Sequence, residues 1–460
     1  MQSTVTEYSI SRLLLFSFLA TILVGSLLLM LPMSWGSTAQ PVFWVDALFT
    51  ATSAVCVTGL TVLDTGTTFS GPGQLIILVL IQVGGLGILT FSTFFITRMR
   101  PRRFGVDLSQ RMLLETSHGA MSRVTPKGLL VIIFVFTFAV ELMGASLLFW
   151  RFSADYPLLQ AGWMAMFHAI SAFCNAGFGL LTDNLMRYRG DVTVNWVIMG
   201  LIILGGLGFV VVADLLSWGR GGLAGKEPKL SLHSLLVLRT TLFLILFGGF
   251  AIAITEWGGV AMGNTPGSLF LESFFLSVTS RTAGFNTVAM EQLTNSTLYL
   301  VILLMIIGGS PGSTAGGIKT TTMAVCYALL SSRARNRPKV ECLGHSLPEE
   351  TVTRSLLIVA GYILVTVVGT FLLHITEGGG VPFNATQGNT FLAYLFETVS
   401  ALGTVGLTTG LTPNLTVAGK LVIITLMFVG RVGPLLLATV LLGGVHRVQY
   451  SYPEENVNIG

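Results

Sequence analysis

Four stretches decide how this chain folds: Phe49-TATSAVCVT-Gly59, Phe167-HAISAFCNA-Gly177, Phe274-FLSVTSRTA-Gly284 and Phe396-ETVSALGTV-Gly406. In each, a Phe stands ten residues before the last Gly, and Leu60, Phe178, Phe285 or Leu407 follows it. The Gly-to-Gly separations are 118, 107 and 122 residues. A second glycine signal lies 24 to 28 residues downstream of each: Gly84-Gly85-Leu86-Gly87, Gly205-Gly206-Leu207-Gly208, Gly308-Gly309-Ser310-Pro311-Gly312 and Gly430-Arg431-Val432-Gly433. Self-similarity at a fixed period signals an architecture built from one repeated unit.

Around these stretches the chain is apolar. Of 460 residues 52% are hydrophobic and 10% charged, with mean hydropathy +0.79, against about 25% charged in a soluble domain. That excludes a soluble enzyme. Windows without Asp, Glu, Lys or Arg run from Leu13 to Val45, Thr65 to Thr97, Val192 to Ala213, Gln292 to Ile318 and Ser355 to Thr376. Gly128 to Phe149, Leu232 to Ile254 and Val417 to Leu442 carry one or two charges each. Each has the roughly 20 residues a helix needs to cross a bilayer. These are eight expected spans, the first of them uncleaved. Between them lie Phe43 to Ser53, Leu158 to Ser171, Ser268 to Thr279 and Gln387 to Ser400, which at about 1.5 Å per residue reach half-way across and read as re-entrant helices.

The fold class that follows is an all-α polytopic membrane protein: four tandem units of span, pore helix and span (M1–P–M2) around a pseudo-four-fold pore, with eight spans and four half-helices. The units are expected at 1–100, 127–218, 232–332 and 351–447, separated by loops at 101–126, 219–231 and 333–350 and followed by a tail at 448–460. Of the 25 Lys and Arg, 18 fall on the side that holds both termini, which the positive-inside rule makes cytoplasmic. A net charge of +4 gives no reason to expect nucleic acid. The cysteines Cys56, Cys174, Cys326 and Cys342 form no metal or redox motif, and Cys56 and Cys174 read as small packing residues. No H-E-x-x-H, G-x-S-x-G or P-loop appears, so no enzyme is expected.

Four half-helices around one axis, each running into a glycine, suit a cation pore, because a dehydrated cation needs rings of backbone carbonyls in place of water. The expected ligands are the carbonyls of Val57, Thr58 and Gly59; Asn175, Ala176 and Gly177; Thr282, Ala283 and Gly284; and Thr404, Val405 and Gly406. The third unit's second span is interrupted by Gly308, Gly309, Ser310, Pro311, Gly312, Ser313, Gly316 and Gly317. Gly costs about 1 kcal/mol and Pro about 3 kcal/mol inside a helix, so a loop is expected there, either a gate or a static break. Lys319 either faces the vestibule or snorkels to the cytoplasm. Arg431, at membrane depth, is either an electrostatic barrier grouped with this gate or one half of an ion pair with a buried carboxylate. Arg281 is expected behind the ring, paired with Glu397 or Glu272. Glu141 and Asp214 read as interhelical hydrogen-bonding partners and His168 as a satisfied packing residue. Asp64 either concentrates cations at the outer mouth or solvates a loop. Asn175 is the one amide side chain at these positions, able both to donate and to accept, or else an ordinary brace of the backbone. A secondary transporter with a broken-helix site at the midplane for a small solute is the alternative.

The stretches Ser53-AVCVTGL, Ser171-AFCNAGF, Thr279-SRTAGFNT, Ile307-GGSPGSTAGGIKTTT and Gly430-RVGPL resemble the superfamily of bacterial Trk/Ktr and plant HKT potassium transporters, and within it the KtrB-type membrane subunit. The resemblance covers roughly Ser11 to Arg447. It implies one filter Gly per unit, with Gly rather than Ser at Gly59 fitting potassium, and a gate in the broken third unit. It also implies potassium uptake stimulated by sodium in several members, and a homodimer in a bacterial inner membrane on a cytosolic KtrA-type (RCK) regulatory ring. Any nucleotide would belong to that ring.

Overall fold

The structure, a computed structural model, describes residues 2–36, 41–87, 126–223, 230–259, 261–263, 265–378 and 390–433, with side chains from 15 in the first helix, from 131 in the helix beginning at Pro126 and up to 219 in the one ending at Leu223. The expected loop at 101–126, the tail at 448–460 and the far ends of the windows at Thr65 to Thr97 and Val417 to Leu442 lie largely or wholly outside the described residues. The helices are α1 (Gln2–Leu29), α2 (Trp44–Cys56), α3 (Thr65–Thr68), α4 (Gly71–Leu86), α5 (Pro126–Phe152), α6 (Leu158–Phe173), α7 (Val192–Gly206), α8 (Phe209–Leu223), α9 (Leu232–Thr255), α10 (Pro266–Thr279), α11 (Asn295–Ile306), α12 (Thr320–Ala334), α13 (Glu349–Glu377), α14 (Thr390–Gly403) and α15 (Val417–Val432). A short hairpin of β1 (Glu341–Cys342) and β2 (His345–Ser346) joins α12 to α13.

Three described helices are long and apolar enough to cross a membrane: 131–152 within α5, α9 and α13. The pair α7 and α8 passes the same test together but is bent by 98°. Val192 to Ala213, expected as one span, therefore breaks between Gly206 and Phe209. The physical reason is local: Gly208 takes φ +88°, and Phe209 donates its amide to the carbonyl of Gly312 in the third loop, 3.0 Å away, instead of to its own helix. The half-helices α2, α6, α10 and α14 have 13, 16, 14 and 14 residues. At about 1.5 Å per residue they cover roughly two thirds to four fifths of a bilayer core, α2 and α6 continuing three and two residues past their expected ends and α10 beginning two residues before its expected start.

Each half-helix packs with the helices on either side of it in sequence, giving the groups α1-α2-α4, α5-α6-α7, α9-α10-α11 and α13-α14-α15. Between groups, α4 packs on α6, α7 on α10, α11 on α14 and α15 on α2, so the order closes on itself. A repeated small residue makes room for the packing within each group. A Cβ at Gly25, Gly144, Gly248 or Gly369 would lie 2.7–2.9 Å from a side-chain methyl carbon of Leu80, Leu201, Leu304 or Leu426, the leucine four residues before each downstream glycine cluster. Small-residue contacts of this kind let membrane helices approach closely. The repeated Phe49, Phe167 and Phe396 are fully buried, whereas Phe274 is half-buried at the edge and meets Phe250 in a T-shaped contact at 5.4 Å.

Candidate functional site

The four glycines meet. A Cβ on Gly59 would lie 2.4 Å from the carbonyl oxygen of Ala176, one on Gly177 2.7 Å from that of Ala283, one on Gly284 2.5 Å from that of Val405, and one on Gly406 2.1 Å from that of Thr58. The contacts run in one sense, each glycine touching the segment after it and the fourth returning to the first. All four have positive φ, from +70° to +95°, which favours Gly, and no side chain fits between them. Two residues earlier the chain is left-handed again, at Val57 (φ 56°), Asn175 (59°), Thr282 (73°) and Thr404 (50°). A left-handed β-branched residue is a genuine outlier, and here it recurs at equivalent positions.

The half-helix ends hold this shape. The amides of Thr58, Ala176, Ala283 and Val405 donate back to the carbonyls of Ser53, Ser171, Thr279 and Ser400 at 2.7–2.9 Å. The hydroxyls of Ser53 and Ser400 accept from the amides of Gly59 and Gly406 at 3.1 Å. Neither serine is singled out by composition, but both stand six residues before their glycine, a spacing the alignment of the repeats already contains. Asn184, itself at φ 53°, donates to the Gly177 carbonyl at 3.4 Å and accepts from the Asn286 amide at 3.4 Å, joining the second and third segments beyond the ring.

The glycine-rich break lies against the inner ends of these segments. Its base is closed by the pairing of Ile307 with Ile318, and Gly308 donates to the Ile318 carbonyl at 3.0 Å. Ser310 and Thr314 donate their amides to the carbonyls of Gly206 and Gly205, at the bend of the second group. The Thr314 hydroxyl donates to the Phe173 carbonyl at 3.2 Å and accepts from the Asn175 side-chain amide at 3.0 Å. A Cβ at Gly316 would lie 2.0 Å from the Thr404 hydroxyl oxygen. The loop thus reaches from its own group to the second and the fourth.

Arg431 ties the remaining side. Its guanidinium donates to the carbonyl of Thr314 and to that of Gly84. Arg431 therefore makes no ion pair with a buried carboxylate among the described residues; the backbone carbonyl of Thr314 in the loop and that of Gly84 in the last turn of α4, which also accepts from the Gly87 amide, take its place. Lys319 folds back on the loop and donates to the Ala315 carbonyl at 2.6 Å.

The expected pairing of Arg281 does not form. Glu397 is fully buried and accepts from the hydroxyls of Thr408 and Thr412 at 2.6 Å and from the Thr409 amide at 2.9 Å, bracing the chain that follows Gly406. Glu272 accepts from Arg189 at 2.7 Å. Arg281, 7% exposed, keeps its Nε without a partner. Glu141 accepts from the Gln82 amide and Asp214 from Ser231, both between helices as expected. His168 bonds the Met164 carbonyl through Nδ1 only, its Nε2 being unpartnered against the aromatic rings of Phe152, Phe167 and Phe285. Asp64 caps α3 by accepting from Thr67. Cys56 and Cys174 are buried and free.

Beyond the second segment's ring residues, Arg151, Asp155, Tyr156, Arg187, Tyr188 and Asp191 line a cavity of about 570 Å³. Burial, with a hydrogen bond to Asp155, pushes the Tyr188 phenol above its ordinary range. No group of three His, Cys, Asp or Glu able to hold a metal occurs among the described residues.

Comparison with known proteins bears on the whole of this arrangement. Residues 17–442 match the family model described as TrkH, cation transport protein. The chain is 39% identical over 432 residues to the Ktr system potassium uptake protein B of Bacillus subtilis, covering 92% of this chain and 91% of the other. It is 37% identical over 452 residues to the potassium/sodium uptake protein NtpJ of Enterococcus hirae, covering 98% and 97%. Its fold is similar to the crystal structure of the potassium transporter TrkH from Vibrio parahaemolyticus, with a TM-score of 0.67 at 19% identity, over 92% of this chain and 84% of that one. The repeated glycine segments, the mostly helical membrane fold and the family match over nearly the full length agree: this chain belongs to the TrkH family of membrane cation transport proteins.

Proposed function

We propose that the chain is the pore-forming subunit of a potassium uptake system, and that potassium crosses through the ring of Gly59, Gly177, Gly284 and Gly406. The observation that carries this reading is the closure of the glycine contacts, in which the carbonyls of Ala176, Ala283, Val405 and Thr58 lie against the glycines of the segments before them, Gly59, Gly177, Gly284 and Gly406. Rings of backbone carbonyls are how a protein replaces the water around a potassium ion. The two relatives described above are named for potassium uptake, one of them for sodium as well.

The rest of the proposal follows from placement. Four tandem M1–P–M2 units with eight spans surround the ring. The Gly308 to Gly317 loop, fastened to Gly205, Asn175 and Arg431, closes the path below the ring. Arg431 adds a positive charge that a potassium ion must pass. A cytosolic regulatory ring of the KtrA type moves the loop, the subunit acts as a homodimer in the bacterial inner membrane with both termini cytoplasmic, and sodium stimulates uptake. The cations Arg333, in the last turn of α12, and Arg335, Arg337 and Lys339, between α12 and α13, offer that ring a docking face. A midplane transporter built of two inverted repeats is disfavoured, since four segments meeting in one rotational sense do not pair by inversion.

The test is potassium uptake in a transport-deficient host. A side chain at Gly59 or Gly177 meets a carbonyl oxygen at 2.4 or 2.7 Å. Gly59→Ser and Gly177→Ser are therefore expected to raise the KM for potassium by about tenfold or more and to lower discrimination against sodium. Variants that keep the parent affinity and selectivity would sink the assignment.

A further inference from the structure

We propose that the cavity of Arg151, Asp155, Tyr156, Arg187, Tyr188 and Asp191 holds the headgroup of a lipid, a phosphate joined to a primary ammonium as in phosphatidylethanolamine. The cavity lies where α5 ends and α6 and α7 begin, and its volume of about 570 Å³ falls within the range of about 300–1,000 Å³ usual for small-molecule sites. Its lining carries two cations and two anions, which are not paired one to one. Arg151 takes both acids, Asp191 through Nε and Asp155 through Nη1 at 3.0 Å. Arg187 is left with a phenol: it donates to the Tyr156 hydroxyl at 2.7 Å and meets no carboxylate among the described residues. Asp155 receives Arg151 and, at 2.9 Å, the Tyr188 hydroxyl, both on Oδ2, so among the described residues its Oδ1 receives no donor. The cavity thus offers a guanidinium to an anion and a carboxylate oxygen to a cationic donor. A guanidinium fork matches phosphate geometry, and a lining whose charges sum to zero favours a zwitterion over an anionic headgroup.

The flanking residues point to a lipid rather than to a free phosphoethanolamine. Trp150, next to Arg151, and Trp196, one turn into α7, are 69% and 65% exposed, and Leu158 and Leu159 at the start of α6 are 69% and 90% exposed. Tryptophan gathers where acyl chains meet headgroups, and large apolar side chains beside a charged cavity give acyl chains a surface that a soluble ligand does not need. A quaternary ammonium would seek an aromatic face, but Arg151 already covers that of Tyr188, 5.5 Å from its centroid. A primary ammonium, which donates hydrogen bonds, suits the open Asp155 oxygen instead. The same stretch of chain reaches the glycine ring. Asn184, three residues before Arg187, donates to the Gly177 carbonyl at 3.4 Å, and Arg189 is fastened to Glu272 of α10 at 2.7 Å. A headgroup held by Arg187 therefore steadies the segment that braces the ring, a consequence that rests on the reading of the ring as the ion path.

The test titrates the purified, delipidated full chain with phosphatidylethanolamine, phosphatidylglycerol or phosphatidylcholine, counts bound lipid by native mass spectrometry, and measures the KM for potassium uptake in vesicles of the same lipids. The parent is expected to bind phosphatidylethanolamine about tenfold more tightly than either other lipid, and Arg187→Gln to lose that preference. Asp155→Asn, which keeps the shape and gives up the charge, is expected to turn the preference toward phosphatidylglycerol, whose phosphate carries no ammonium. Both side chains are exposed, so both variants fold. The parent's KM is expected to be about threefold lower in phosphatidylethanolamine than in phosphatidylglycerol, and that of Arg187→Gln equal in the two. A parent without the preference, or an Arg187→Gln that keeps it, overturns the site. Soluble phosphoethanolamine that lowers the KM equally in phosphatidylglycerol vesicles overturns the lipid as its source. An intact preference with an unmoved KM overturns the link to the ring, whereas a parental KM in Gly59→Ser would sink the ring and leave the lipid site standing.

Discussion

The downstream glycine clusters of the first, second and fourth groups differ from that of the third. Gly84, Gly205 and Gly430 each lie on the carbonyl of a half-helix end, with a Cβ destined to stand 1.9–2.0 Å from the oxygen of Val55, Phe173 or Leu402. Gly308, equivalent in sequence, lies instead on Gly316 of its own loop, at 2.0 Å. The same residue at the same distance thus serves a rigid contact in three places and a folded-back loop in the fourth. Glycine licenses close approach of backbone to backbone, and what approaches is set by its neighbours. Pro311 and four further glycines forbid helix after Gly308, so the chain itself fills the space beside it. The second group is intermediate: its helix bends at Gly208, where the third loop bonds to it.

Three changes would break or sharpen that contrast. The largest effect is expected from Gly430→Val, whose side chain would overlap the Leu402 carbonyl, a fixed backbone atom. A loss above about 4 kcal/mol removes the folded protein, seen as loss of a monodisperse peak in size-exclusion chromatography. Deleting Ser310 to Thr314 removes the bonds to Gly205, Gly206, Phe209, Phe173, Asn175 and Arg431 but none of the contacts that close the glycine ring, so the protein stays folded and potassium flux into proteoliposomes rises by about tenfold. Unchanged flux would make the loop a static filler. Gly312→Ala has the smallest effect. It has φ +68° with nothing within 4 Å of a Cβ, so only the left-handed backbone resists, and stability to heat falls by about 1 kcal/mol.

Much of this was legible in the residues. The ten-residue Phe-to-Gly spacing located all four ring glycines, because a close approach of backbones leaves no alternative residue, and the run of glycines with Pro311 located the loop. The partners of the charges were not legible. Arg281 and Glu397 look like a pair in sequence, yet Glu397 is taken by Thr408, Thr409 and Thr412. Among the described residues Arg431 meets no acid, and carbonyls at Thr314 and Gly84 take its donors. Hydrogen-bond partners depend on which backbone ends are left open in space, and composition carries no record of that. The small-residue contacts of Gly25, Gly144, Gly248 and Gly369 were equally hidden, since each becomes visible only through the leucine it touches.

By itself the sequence determined that this chain lives in a membrane, that one Phe-to-Gly segment recurs four times, and which glycines the repeats share, since hydropathy and spacing are properties of the chain alone. Only the tertiary structure decided that the four glycines close into a ring, that the second group's helix bends, and that the third group's loop is fastened to the second and fourth. Those facts depend on which backbone groups meet across more than a hundred residues of intervening chain, and a linear pattern does not encode such meetings.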